Sequence, residues 1–156
     1  MRIPDQSQWL RALSSVPRQA VSDLTGELTA SWEVRHTTLP QAGLAMVRMT
    51  DGGLGEPFYL GEIPLATARV EIRTHRDGAG VEGAAQVMDD STEFARQLAV
   101  CDAVVAHRLP GWERVVELMA SGERQADEET RRRKAMLAKT RVDFSLLDAT
   151  GADDDD

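Results

Sequence analysis

The chain has 156 residues and a net charge of −8, with 18 Lys and Arg against 26 Asp and Glu. The length suits one domain with a real core, and the acidity argues against nucleic acid or an anionic membrane as partner. A single cysteine, Cys101, excludes a disulfide within the chain; with a polar N-terminus and no window near the roughly 20 apolar residues of a membrane span, a cytoplasmic protein is expected.

In chain order, Trp9, Leu13 and Val16 recur at helical spacing. Ser14, Ser15 and Pro17 punctuate, and Val21, Leu24 and Leu28 place an apolar stripe on a second helix ending near Ala30. Two short helices in succession suggest a helical hairpin. The period then changes. Trp32, Val34 and His36 alternate with Glu33, Arg35 and Thr37, as in a half-buried strand. LPQAG at 39–43 reads as a turn, and LAMVRM at 44–49 as a second strand, apolar on both faces. After a glycine-rich stretch, PFYLGE at 57–62 is expected to be a strand that ends at Gly61–Glu62, at a bend before Pro64. ATARVEIRTH at 66–75 alternates most clearly, with Ala68, Val70 and Ile72 on one face. Asp77–Gly78 is a hairpin signal, and VEGAAQVM at 81–88 is a weaker last strand.

Helix resumes after Asp89, with Asp90 as cap and Glu93 completing a capping-box-like start. Phe94, Leu98, Cys101 and Val105 form its apolar stripe. Pro110–Gly111 interrupts. WERVVELMA is expected to be a short helix broken at Ser121–Gly122, followed by a last helix over ADEETRRRKAMLAK. The pairs Asp127/Arg131, Glu128/Arg132 and Glu129/Arg133 sit acid-first at i, i+4 on that helix, worth roughly 0.2–0.5 kcal/mol each. The expected architecture is therefore α+β: an antiparallel β-meander of about five strands flanked by an N-terminal helical hairpin and C-terminal helices. It forms one domain over residues 1–149, followed by an acidic tail over 150–156 read as solvated and disordered.

The stretch MTDGGLGEPFYLGE, residues 49–62, raises a question of chemistry. A Walker loop places Lys and then Ser or Thr after its last glycine, so that an ammonium reaches the phosphates and a hydroxyl holds magnesium. Here Glu56 and Pro57 follow Gly55; a carboxylate repels phosphate and Pro removes an amide donor. The stretch reads as a tight glycine turn between strands, with Phe58 and Leu60 on the buried face. Gly52, Gly53 and Gly55 would supply positive φ or close backbone approach. A contact between its bare amides and a ligand or partner backbone stays open.

Other chemistry is sparse. His36, His75 and His107 are far apart and lack ligand spacing, so no metal site is assigned. Cys101 lies on an apolar stripe and reads as a buried, inert thiol. Asp89, Asp90 and Glu93 suit a helix N-terminus, and Arg131 to Lys134 a solvated helix face. Trp9, Trp32 and Trp112 fit core packing or partner contacts equally. No catalytic or cofactor-binding residue is assigned. The chain reads as a small α+β subunit that works with something else.

The segment PQAGLAMVRMTDGGLGEPFYLGE resembles the PhnG family, subunits of the bacterial carbon–phosphorus lyase core complex. The matching residues are Gly43, Leu44, Arg48, Gly52, Gly53, Gly55, Phe58, Gly61 and Glu62. AVCDA at 99–103 and TRVDF at 140–144 are similar to two further family signatures, in order and with matching spacing, so the resemblance runs over about residues 7–148. It singles out Gly52, Gly53, Gly55, Phe58, Gly61, Glu62, Arg141, Asp143 and Phe144 as motif or partner-contact candidates. Two departures stand out. Ala66–Thr67 stands where a Thr-Arg pair is usual, and Asp89-Asp90-Ser91 with Phe94 stands where the family carries a basic, polar patch. The resemblance implies a hetero-oligomer with PhnI-like, PhnH-like and PhnJ-like subunits, in which an alkylphosphonate is transferred to the ribose of MgATP with release of adenine. It places the catalytic residues on the PhnI-like chain and no cofactor in this one. A divergent stand-alone binding or regulatory module of the same fold is the alternative.

Overall fold

A computed structural model describes residues 5–75 and 78–139. Two helices, α1 (Gln6–Ser14) and α2 (Arg18–Thr29), lead into strands β1 (Glu33–Thr50), β2 (Pro57–Arg73) and β3 (Val81–Val87). Helices α3 (Thr92–Ala106) and α4 (Trp112–Lys139) follow. The strands form one antiparallel sheet in the order β1-β2-β3, a meander as expected. Asp77 of the expected hairpin turn lies outside the described residues. On either side of it, β2 and β3 pair from Ala66↔Val87 to Ile72↔Val81.

The sheet has three strands where the sequence suggested about five, because two presumed breaks are absorbed within strands. LPQAG does not turn the chain. It lies inside β1, where register shifts fall between His36 and Thr38 and between Thr38 and Gln41. Gly61 and Pro64 do not end β2. The register shift opposite Val47/Arg48 leaves an extra residue at Leu60, beside Gly61 at φ 151°, and the strand runs on to Arg73. Pro64 is tolerated because β3 reaches only Ala66, so among the described residues no strand neighbours the outer edge of β2 at residue 64.

The core forms where α3 lies on the half of the sheet that β3 completes. Ala66, Ala68, Val70 and Ile72 of β2 alternate toward it and are buried. Helix α3 is buried on almost every side, from Phe94 and Ala95 through Leu98, Val100 and Cys101 to Val105, as a helix apolar all round must be. α1 packs chiefly along α4 and α2 along α3, so the first two helices do not form a paired hairpin. Trp9 is buried in this core, and Trp32 and Trp112 pack against it, which answers the open question about the tryptophans in favour of packing.

Two glycines allow the close approaches. A Cβ on Gly83 would fall 2.2 Å from the carbonyl oxygen of Ala99 and 2.7 Å from Cβ of Ala103. A Cβ on Gly122 would fall 1.9 Å from the carbonyl oxygen of Ala12. The second contact explains why Ser121–Gly122 does not break α4, which continues as one helix of 28 residues. A mid-helix glycine weakens the helix locally by about 1 kcal/mol, but here it is where α1 crosses. Ser91, not Asp90, is the cap of α3: its hydroxyl accepts from Phe94 N at 3.2 Å. Asp89 Oδ1 in turn accepts from Ser91 N at 2.8 Å. The far end of α3 closes on Arg108 at φ 48°, with Leu109 N bonded to Val104 O at 2.9 Å and Arg108 N to Val105 O at 3.3 Å, the six-to-one and five-to-two pattern of a helix stop.

Two outcomes follow. Gly83→Ala should lower stability by about 1–3 kcal/mol through overpacking against α3, whereas Gly43→Ala, whose Cβ would meet nothing within 4 Å, should stay within about 0.5 kcal/mol; urea-unfolding midpoints of the isolated chain compare them. Burial, reinforced by the nearby charge of Asp102, pushes the Cys101 thiol up from 9.0 to about 12. The neutral thiol is the folded form, so its contribution to stability is intact below pH 9 and is lost as pH rises toward 12. Cys101→Ala should flatten the decline in melting temperature over that alkaline range, and the native thiol should resist alkylation at pH 8.

Candidate partner interface

Beyond Leu65 the two long strands leave the body. β3 pairs with β2 only over residues 66–72, so the ribbon formed by residues 39–50 and 57–65 projects as an arm of two strands. Pairs run from Gly43↔Leu65 to Thr50↔Pro57, about 27 Å at the rise of an extended strand. Phe58 and Leu60, expected on a buried face, are 44% and 67% exposed. The bulge at Leu60 interrupts the expected alternation of Phe58 and Leu60, and neither β3 nor α3 reaches that far to cover them. Leu44, Met46 and Tyr59 are 69%, 59% and 62% exposed.

Cross-strand partners share a face. Leu44, Met46 and Arg48 stand with Pro64, Glu62 and Tyr59 on the face continuous with Ala66 and Ala68. Ala45, Val47 and Met49 stand with Ile63, Gly61 and Phe58 on the other, which carries no charged side chain between Gly43 and Met49. Both faces of the arm are thus apolar in large part. An exposed apolar surface of this kind on a small protein marks an interaction site. Leu44, Met46, Met49 and Tyr59 were not singled out in advance as contact residues beyond Leu44's place in a motif. The available signal was LAMVRM itself, apolar at successive positions, as in strands covered on both sides.

The tip of the arm settles what the glycines do. Asp51 N donates to Glu56 O at 2.9 Å and Gly55 N to Asp51 O at 3.0 Å. The Asp51 carboxylate accepts from Gly53 N and Leu54 N, each at 3.2 Å. Three amides that could have faced a phosphate are therefore engaged by one aspartate, in the way short polar side chains close turns. Gly55 has φ 70° and needs its freedom; Gly52 and Gly53 do not adopt positive φ and stand in open space or beside Asp51. The stretch is a hairpin tip, as expected, and opens no helix. Glu62 stands mid-strand opposite Met46, and Arg141, Asp143 and Phe144 lie outside the described residues.

The acids near α3 have local partners. Asp89 forms an ion pair with Arg18, whose guanidinium lies 4.9 Å over the Phe94 ring. Those residues clasp α2 to the start of α3, so Asp89 and Phe94 of the substituted patch serve as a cross-helix tie. Arg96 donates to Glu93 through Nε at 2.9 Å and Nη2 at 2.6 Å and holds the carboxyl below its ordinary range; Gln97 donates a further bond at 3.2 Å. Asp102, in the AVCDA segment, accepts from Ala84 N at 3.0 Å, and the His107 ring lies 3.2 Å from Glu82 O. Both bonds fall on the outer edge of β3, so part of the edge that would otherwise invite another strand is engaged from α3 and its C-cap.

Residues 5–148 match the family model described as "Phosphonate metabolism protein PhnG". The chain is also 36% identical over 132 residues to the alpha-D-ribose 1-methylphosphonate 5-triphosphate synthase subunit PhnG of Rhizobium meliloti strain 1021, an alignment covering 78% of this chain and 79% of that protein. Among the described residues no helix is long and apolar enough to cross a membrane.

Proposed function

The chain belongs to the PhnG family of phosphonate-metabolism proteins, and on that premise we propose that it is a supporting subunit of an alkylphosphonate-processing complex. In this reading the complex joins an alkylphosphonate oxygen to C1 of the ribose of MgATP as the bond from C1 to adenine breaks and adenine leaves. PhnI-like, PhnH-like and PhnJ-like chains are its partners, and the PhnI-like chain carries the reacting groups, with PhnH and PhnL also required for the transfer. The observation that carries this role is the projecting arm: Leu44, Met46, Phe58, Tyr59 and Leu60 are exposed on it together, and such a surface is stable in a subunit that is covered on assembly.

This chain's own contribution is binding and positioning. The turn amides at Gly53, Leu54 and Gly55 are engaged within the chain, which supports a tip that shapes a contact surface over one that wraps a triphosphate. Glu93 is tied to Arg96 and Asp89 to Arg18, which supports a structural use of the acids near α3.

The isolated chain should release no adenine from MgATP and methylphosphonate above background, followed by chromatography of the free base. The PhnI-, PhnH- and PhnL-like proteins together should release it only when this chain is added. Robust turnover by the isolated chain, or undiminished turnover without it, would end the proposal.

A further inference from the structure

We propose that the distal arm, residues 39–65, is gripped on both faces by a two-walled apolar cleft in a partner polypeptide that is not a second copy of this chain. The proposal rests on the subunit role above and specifies how the arm is held.

Two-sided burial follows from the pattern of the ribbon. If one face met a partner and the other met water, the strands would alternate apolar and polar. Instead Leu44, Met46 and Tyr59 face one way, with Arg48 and Glu62 as the charged residues among them, and Val47 and Met49 face the other with Phe58 and Ile63. Both edges are also open. Among the described residues no strand pairs with the outer edge of β1, and none besides β1 pairs with β2 before Ala66. A two-stranded ribbon standing alone is marginal in water, so both its faces and its edges call for cover. Gly43 fits the same picture: it lies mid-strand with no positive φ and nothing near its missing side chain, and a glycine in a strand interior marks close approach by another backbone.

The occupant is a different polypeptide for two reasons. A ribbon of this length, two strands wide and one sheet spacing thick, fills on the order of 2,500 Å³. A depression between Trp32, Arg35, Arg73 and His75 holds about 750 Å³ and is wide open, well short of the room the arm would need on a second copy. Each copy also carries a net charge of −8, and the arm itself adds Asp51, Glu56 and Glu62 against Arg48 alone, which opposes stacking arm on arm.

Cysteine reactivity tests the geometry in the full chain. Met46→Cys reports one face and Met49→Cys the other; both positions are exposed, and the native Cys101 is buried and silent. Each variant is labelled with a maleimide alone and after co-expression with the PhnI-, PhnH- and PhnJ-like subunits, with circular dichroism confirming the fold. Alone, both thiols should react at the rate of a free thiol. In the purified complex both should be protected at least tenfold. Protection of only one position would show a single wall and overturn the proposal. Protection in the isolated chain that fades on dilution would identify a second copy as the occupant and overturn it too. A complex that forms with both thiols still reactive refutes this inference alone, whereas subunits that elute apart refute the functional reading and this inference with it.

Discussion

Helix α3 lies so near β3 that the carbonyl of Ala99 and the methyl of Ala103 occupy the room a side chain at residue 83 would need. The rest of the body depends on that approach. With Ala95, Ala99 and Ala103 buried along its length, the helix can lie close to the sheet, where dispersion contacts are densest. The same closeness brings Asp102 within 3.0 Å of Ala84 N and His107 within 3.2 Å of Glu82 O. Side chains of α3 and its C-cap thereby take up Ala84 N and Glu82 O on the free edge of β3, leaving less of it open to another strand.

The arm is the consequence of unequal lengths. β1 has 18 residues and β2 17, while β3 has 7, and α3 with its 15 residues spans about 22 Å. Cover therefore ends near Ala66, and both long strands continue beyond it without helix or third strand among the described residues. Within the body, a buried valine such as Val70 contributes roughly 1.5–3 kcal/mol; on the arm, the same kind of side chain stays in water and waits on association for that gain. Folding of the body thus leaves the arm uncovered, and in the proposed function its cover belongs to the assembly.

Charge follows the same division. The chain is strongly acidic, yet the acids beside α3 are tied to neighbours: Asp89 to Arg18, Glu93 to Arg96, Asp102 to the backbone of β3. On the last helix Glu129 and Arg133 approach to 3.7 Å, an exposed pair of small worth. None of these arrangements concentrates charge at one place, and the exposed side chains of the arm include Leu44, Met46, Met49, Phe58, Tyr59 and Leu60.

The sequence by itself determined the kind of protein this is. The switch from period 3.6 to period 2 at Trp32 and back after Asp89 placed helices, then antiparallel strands, then helices; the glycine turn before Glu56 and the buried Cys101 were legible from residue type alone, because turns and local periodicity act between residues close in the chain. The resemblance carried by Gly43 through Glu62 pointed to the right family for the same reason, since the motif is a continuous stretch. Tertiary structure alone decided the rest. LPQAG and Gly61–Pro64 looked like breaks, yet bulges and an open strand edge let β1 and β2 pass through them; Ser121–Gly122 looked like the end of a helix, yet α1 crosses there. Phe58 and Leu60 looked buried, and in this chain they are not. Periodicity reports which residues seek cover, but what covers them is set by segments far away in sequence, and for the arm no segment of this chain's described residues does so.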